Sequence, residues 1–218
     1  MKTTVKHVDY TSVNSYETRN KLTSKTKNVW IVFHGIGYLS RYFLAHFDAL
    51  PPQENYIIAP QAPSKYYLNN RYTYVGASWL TKEDTEQELQ NVLAYVQAVW
   101  EQEELEAKQV NLIVMGFSQG VSIATRWLAR SGLTCHTLLL YAGALPQELQ
   151  PQDMAHLLEH GTRIVSLIGD KDAYLTPARL KEEEQKLQML FQGKVEKVRF
   201  SGGHEVKNDL LKEVVYGS

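Results

Sequence analysis

An α/β architecture, with a mostly parallel central sheet and helices on both faces, is what this sequence predicts, and three observations carry it. Six short apolar runs, rich in β-branched or aliphatic residues, recur along the 218 residues. Most are apolar at nearly every position, as strands covered on both faces require. Segments of helical character lie between them, and this alternation argues for parallel pairing through crossover helices.

The elements follow in chain order. Residues 5–12 alternate loosely and a polar stretch follows to Asn28, so residues 1–27 are expected to form an antiparallel edge hairpin. The apolar runs cover residues 29–33, 56–59, 110–115, 137–141, 163–168 and 195–200. Residues 83–100 carry Leu89, Val92, Leu93, Val96 and Val99 at spacings of three and four, a helical stripe with Thr81 as candidate cap. Residues 119–130 read as a second helix ended by Gly132, and residues 177–191 as a third, started by Thr176 and Pro177 and charged enough to present a solvated face. Residues 206–215 close the chain as a fourth. No repeat, low-complexity tract or linker divides it, so residues 1–218 are expected to form one domain.

Composition excludes several classes of function. A formal net charge of -1, with no block of Lys or Arg, argues against nucleic acid and anionic membrane surfaces as partners. One cysteine, Cys135, leaves no disulfide framework and no Cys-based zinc cluster, and reads as a small buried hydrophobe. The first ten residues lack the apolar core of a signal peptide, and no apolar run is long enough to cross a bilayer. The expectation is a cytoplasmic protein with no stable membrane insertion. A homodimer is compatible with the sequence, which identifies no apolar face for one.

The chemistry begins at Ser118. Residues 110–120 run from a strand directly into a helix through Gly116-Phe-Ser-Gln-Gly120, a G-x-S-x-G turn. A serine on so sharp a turn projects its hydroxyl outward, and glycines two residues to either side let strand and helix pass closely. The helix starting at Gln119 aims its N-terminal amides at the point where an oxyanion would form. A serine hydroxyl needs a base to take its proton, and the base needs an orienting acid. Of seven histidines, His204 alone follows the final strand in a glycine loop, Ser201-Gly-Gly-His204. The strand at 163–168 ends in Gly169-Asp-Lys-Asp172, which offers two acids. Asp170 is close enough to the glycine to hold the turn itself, while Asp172 stands further out, so Asp172 is preferred. Both loops sit at the C-terminal ends of strands, where such sheets place their sites.

Two backbone amides should complete the site, one from Gln119 and one from the loop His34-Gly-Ile-Gly37, where Ile36 is the candidate. His34 reads as a residue that holds the loop and does not shuttle a proton. The polar-aromatic loop at 64–79 follows a strand tip, which makes Tyr72, Tyr74 and Trp79 candidate substrate-binding residues. A surface loop packed by its own aromatics is the competing reading.

His-Gly-Ile-Gly after the first strand, Gly-Phe-Ser-Gln-Gly at the turn, Gly-Asp-Lys-Asp before Pro177 and Gly-His-Glu-Val near the end resemble the carboxylesterase/phospholipase family, which includes the acyl-protein thioesterases. The likeness spans roughly residues 28 to 216. It implies a minimal α/β-hydrolase fold without a large cap domain, cleaving esters or thioesters of small or acyl-chain substrates without cofactor or metal. It also implies Asp172 as the acid and the amides of Ile36 and Gln119 as the oxyanion hole. The chain departs from the family at Tyr38, where relatives usually carry aspartate, and at Val121, where they more often have glycine or alanine. Other readings are a peptidase or acyltransferase using the same three residues, or a non-catalytic binding protein of this fold. An intact Ser118, Asp172 and His204 argues against the last, and a dienelactone-hydrolase-like enzyme would carry cysteine at 118.

Overall fold

The structure, a computed structural model, describes residues 3–105 and 110–217. Seven strands form the main sheet: β1 (Tyr16–Arg19), β2 (Asn28–Phe33), β3 (Asn55–Pro60), β6 (Asn111–Phe117), β7 (Thr137–Tyr141), β8 (Arg163–Gly169) and β9 (Glu196–Phe200). Their order is β1-β3-β2-β6-β7-β8-β9, parallel throughout except for β1, which runs antiparallel to β3 with Tyr16 opposite Pro60. A separate antiparallel hairpin pairs β4 (Ser64–Tyr67) with β5 (Val75–Ser78).

Alternation within the strands divides the core in two. Val29, Ile31 and Phe33 of β2 point to one face, where α2 (Thr85–Gln102), α3 (Gln119–Ser131), α4 (Pro151–His160) and α5 (Pro177–Phe191) pack. Trp30 and Val32 point to the other, under α1 (Ser40–Phe43), a 3-10 turn at Leu44–Phe47, and α6 (Asn208–Tyr216). The parallel α/β reading from the sequence is therefore correct in architecture. Among the described residues no large cap domain covers the strand tips. Cys135 is buried, and burial pushes its thiol up to about 12.

Three details differ from the sequence reading. Residues 5–12 form no strand and make no hairpin; the antiparallel edge is β1 alone, held on β3, while Val5 and Val8 stay exposed. Residues 1–2 of the expected hairpin lie outside the described residues. Thr81 does not cap α2, whose N-cap is Asp84; its hydroxyl accepts from the Glu83 N–H at 3.2 Å in the turn before. Residues 64–79, read as a loop, contain the β4–β5 hairpin.

Candidate active site

The chain leaves β2 toward β3 on one side, while β6 lies on the other, so the loops after β2 and β6 part and leave a crevice at the C-terminal edge of the sheet. Ser118 sits there, between β6 and α3, with φ 53° and ψ -120°, a conformation that costs an L-residue on the order of 1–3 kcal/mol. The surroundings leave it little choice. Its N–H donates to Tyr141 O at 2.9 Å, and its own carbonyl accepts from Val121 N–H at 3.0 Å. A Cβ on Gly116 would stand 2.4 Å from Val121 Cα, and one on Gly120 would stand 2.0 Å from Phe33 O. Those two glycines let strand and helix approach closely enough to force the turn.

His204 reaches Ser118 from the loop after β9, its Nε2 2.9 Å from Ser118 Oγ. Its Nδ1 lies 2.7 Å from Asp172 Oδ2, and the other oxygen of Asp172 accepts from Tyr174 N–H at 2.9 Å. Asp172 is buried, so its orientation is set by these two bonds. Tyr174 covers His204 edge-on at 4.8 Å between ring centroids, and Phe117 flanks the imidazole at 5.1 Å. Asp170 plays a different part. Its Oδ1 accepts from Gly202 N–H at 3.0 Å, while its N–H donates to Phe200 O at 2.9 Å. It pins the histidine loop to the end of β8, so the two aspartates divide as their positions in the turn suggest.

Among the described residues, neither the Ile36 N–H nor the Gln119 N–H finds an acceptor in the protein. Both residues line the same cavity as Ser118. The Gln119 side chain is committed elsewhere: its Oε1 accepts from Trp79 N–H at 2.9 Å, and its Nε2 donates to Leu80 O at 2.7 Å. His34 is fully buried, and desolvation lowers its imidazole to about 4, which keeps it neutral. Its Nε2 accepts from Ala62 N–H at 3.1 Å, so the proton rests on Nδ1, which donates to Gly35 O at 2.8 Å. His34 holds the loop between β2 and α1.

A cavity of about 560 Å³ opens over Ser118. The three aromatic residues expected to wall it do not. Trp79 is 0% exposed; its indole N–H donates to His34 O at 2.8 Å and its ring packs 5.7 Å from Phe33, so it belongs to the core beneath the site. Tyr72 and Tyr74 are 71% and 68% exposed on the β4–β5 hairpin, which folds on itself with Tyr67 and Tyr72 5.1 Å apart, and neither lines the cavity. Its aromatic lining is Tyr38, Phe117 and Tyr174, and its far wall is the first half of α5, with Arg179, Glu182 and Glu183. Tyr38 and Tyr174 stand two residues beyond Ile36 and Asp172, and that adjacency is the signal that could have found them. The α5 wall carries no such mark.

The chain matches the sequence profile described as Phospholipase/Carboxylesterase over residues 16–216. Comparison with curated proteins finds no match. Among solved structures, the fold is similar to that of Zea mays acyl-protein thioesterase 2, at a TM-score of 0.67 and 18% identity over 93% of this chain and 96% of that one. It is also similar to a phospholipase/carboxylesterase from Dyadobacter fermentans, at a TM-score of 0.64 and 20% identity over 94% and 96% of the two chains. Esterase PE8 matches at a TM-score of 0.64 and 21% identity, over 92% and 95%. With the profile spanning every element from β1 to α6, the chain belongs to the phospholipase/carboxylesterase family of α/β-hydrolases.

Proposed function

We propose that this protein is a serine hydrolase of carboxylic esters or thioesters, acting through Ser118, His204 and Asp172. The observation that carries the reading is the unbroken chain of contacts from Ser118 Oγ to His204 Nε2 at 2.9 Å and from His204 Nδ1 to Asp172 Oδ2 at 2.7 Å. The Ser118 proton passes to Nε2 as Oγ adds to the acyl carbon. Asp172 keeps the histidine in the tautomer with the proton on Nδ1 and stabilises the imidazolium that forms. The free amides of Ile36 and Gln119 receive the developing oxyanion, without reorganisation at the moment of reaction. Collapse of the tetrahedral species expels an alcohol or thiol, which takes the proton from Nε2. Water then adds to the acyl-enzyme through the same histidine, releasing the acid and restoring Ser118.

The place of action we propose is the cytoplasm; no helix among the described residues is long and apolar enough to cross a membrane. The test is hydrolysis of p-nitrophenyl esters from acetate to octanoate by wild type and Ser118→Ala. Wild type should turn over with a chain-length preference, and the variant should lose roughly 10⁴–10⁶ of kcat. Equal rates for the two proteins on every ester would remove Ser118 from the mechanism.

A further inference from the structure

The wall built by α5 carries a carboxylate, Glu183, that shares the cavity of Ser118. Glu183 is half-buried. Its Oε2 accepts the Leu145 N–H at 3.0 Å, the one hydrogen bond of its side chain among the described residues, so the carboxylate is oriented by the loop after β7. No Lys, Arg or His nitrogen among the described residues lies within ion-pair distance of it. Burial pushes its carboxyl above the usual range and the Glu182 charge adds to this, while the Leu145 N–H and the more distant cations Lys186 and Arg179 oppose in part. Two further charges share the wall, Arg179 and Glu182, but both are exposed and screened by water. Arg179 is turned to Tyr174 O, to which it donates at 3.2 Å.

Accepting the Leu145 N–H does not require a charge, because glutamine would fill that role, and the partial burial of Glu183 penalises its ionised form. The same cavity is lined by Tyr38 and Tyr174, with Tyr174 largely exposed, whereas Phe117 is buried between Phe43 and His204. A cavity lined by both aromatic rings and a carboxylate offers the surroundings in which an ammonium group, including a quaternary one, is held. The geometry points to Glu183 as a specificity-determining residue that selects esters carrying a cationic ammonium group a few bonds from the scissile carbonyl. This deepens the hydrolase reading and rests on it for turnover, but it concerns binding in the cavity whichever residues perform the chemistry.

The test uses isosteric pairs that differ only in charge. Butyrylcholine against 3,3-dimethylbutyl butyrate places the cation on the alcohol side. The p-nitrophenyl ester of 4-(trimethylammonio)butyrate against that of 5,5-dimethylhexanoate places it on the acyl side. At least one cationic member should exceed its neutral partner by about tenfold or more in kcat/KM, carried mainly by KM, with the advantage shrinking at high salt. Glu183→Gln keeps an acceptor for Leu145 N–H and removes the charge; it should abolish the preference, bringing the cationic-to-neutral ratio of kcat/KM within each pair to about one. Calorimetric binding of the ether analogue of butyrylcholine, against its neutral carbon isostere, reads the same preference with no turnover. Inactivity on every ester would therefore count against the hydrolase reading alone. Equal kcat/KM within both pairs with equal binding of the two ethers would overturn the proposal, as would a cationic preference that survives Glu183→Gln.

Discussion

The two edges of the central sheet treat their polar groups in opposite ways. At the N-terminal edge, Asn28, Asn55 and Asn111 open β2, β3 and β6, and the strand register sets Asn28 opposite both of the others. Asn55 uses its full hydrogen-bonding capacity: its amide donates to Pro51 O at 2.9 Å and Tyr216 OH at 2.6 Å, while its oxygen accepts from Trp30 Nε1 at 3.0 Å and Asn28 Nδ2 at 3.2 Å. Asn111 donates in turn to Asn28 Oδ1 at 3.2 Å. At the C-terminal edge the backbone of Ser118 is strained, and among the described residues two amides lack acceptors and Glu183 makes no ion pair. One edge satisfies itself and so holds the fold; the other is left incomplete, and that incompleteness is what a substrate can fill.

This contrast can be broken from either side. The largest effect belongs to the C-terminal edge: Asp172→Asn should lower kcat by about 10⁴, because the histidine loses the acceptor that fixes its tautomer. Asp170→Asn, two residues away, keeps an oxygen for Gly202 N–H and should cost about tenfold or less, with esterase kinetics separating the two. At the other edge, Asn55→Leu should leave kcat nearly unchanged yet destabilise the fold by about 3–4 kcal/mol, since Trp30, Asn28 and Tyr216 all lose a partner; urea unfolding reads it.

His34 lies between these behaviours and sharpens the comparison through pH. Its folded value of about 4 lies below the ordinary 6.5, so the unfolded chain binds the proton more readily between those values. The stability that the neutral ring contributes is fully present above about pH 6.5 and is lost as pH falls toward 4, by up to about 3 kcal/mol. Urea midpoints between pH 7 and pH 4 should fall more steeply in wild type than in His34→Gln, which has no ring to protonate.

The same division explains what could be read from the sequence. β2, β6 and β7 are buried at nearly every position, so unbroken apolar runs announced them. Ser118, Asp172 and His204 were legible because each follows a strand and the fold places those loops together. The β4–β5 hairpin was not, for its first strand is largely exposed and polar-aromatic, without an alternating apolar face. Trp79 misled because an aromatic beside a strand tip fits a cavity wall or the core equally well, and its bond to His34 O depends on a chain separation of 45 residues. Glu183 was invisible for a related reason. Periodicity separates the buried stripe of α5, Leu187, Leu190 and Phe191, from the rest, but does not show which exposed turn borders a cavity.

Cys135 has a practical consequence for following this molecule in solution. It is the chain's single cysteine, shielded from solvent, with its thiol held at about 12 and so almost entirely protonated at neutral pH. A maleimide dye offered to the native protein should find almost no thiolate to attack. A cysteine introduced at exposed Tyr72 would then be the one reactive handle, and a fluorophore there would report on the hairpin beside the strand tips without any native thiol having to be removed first.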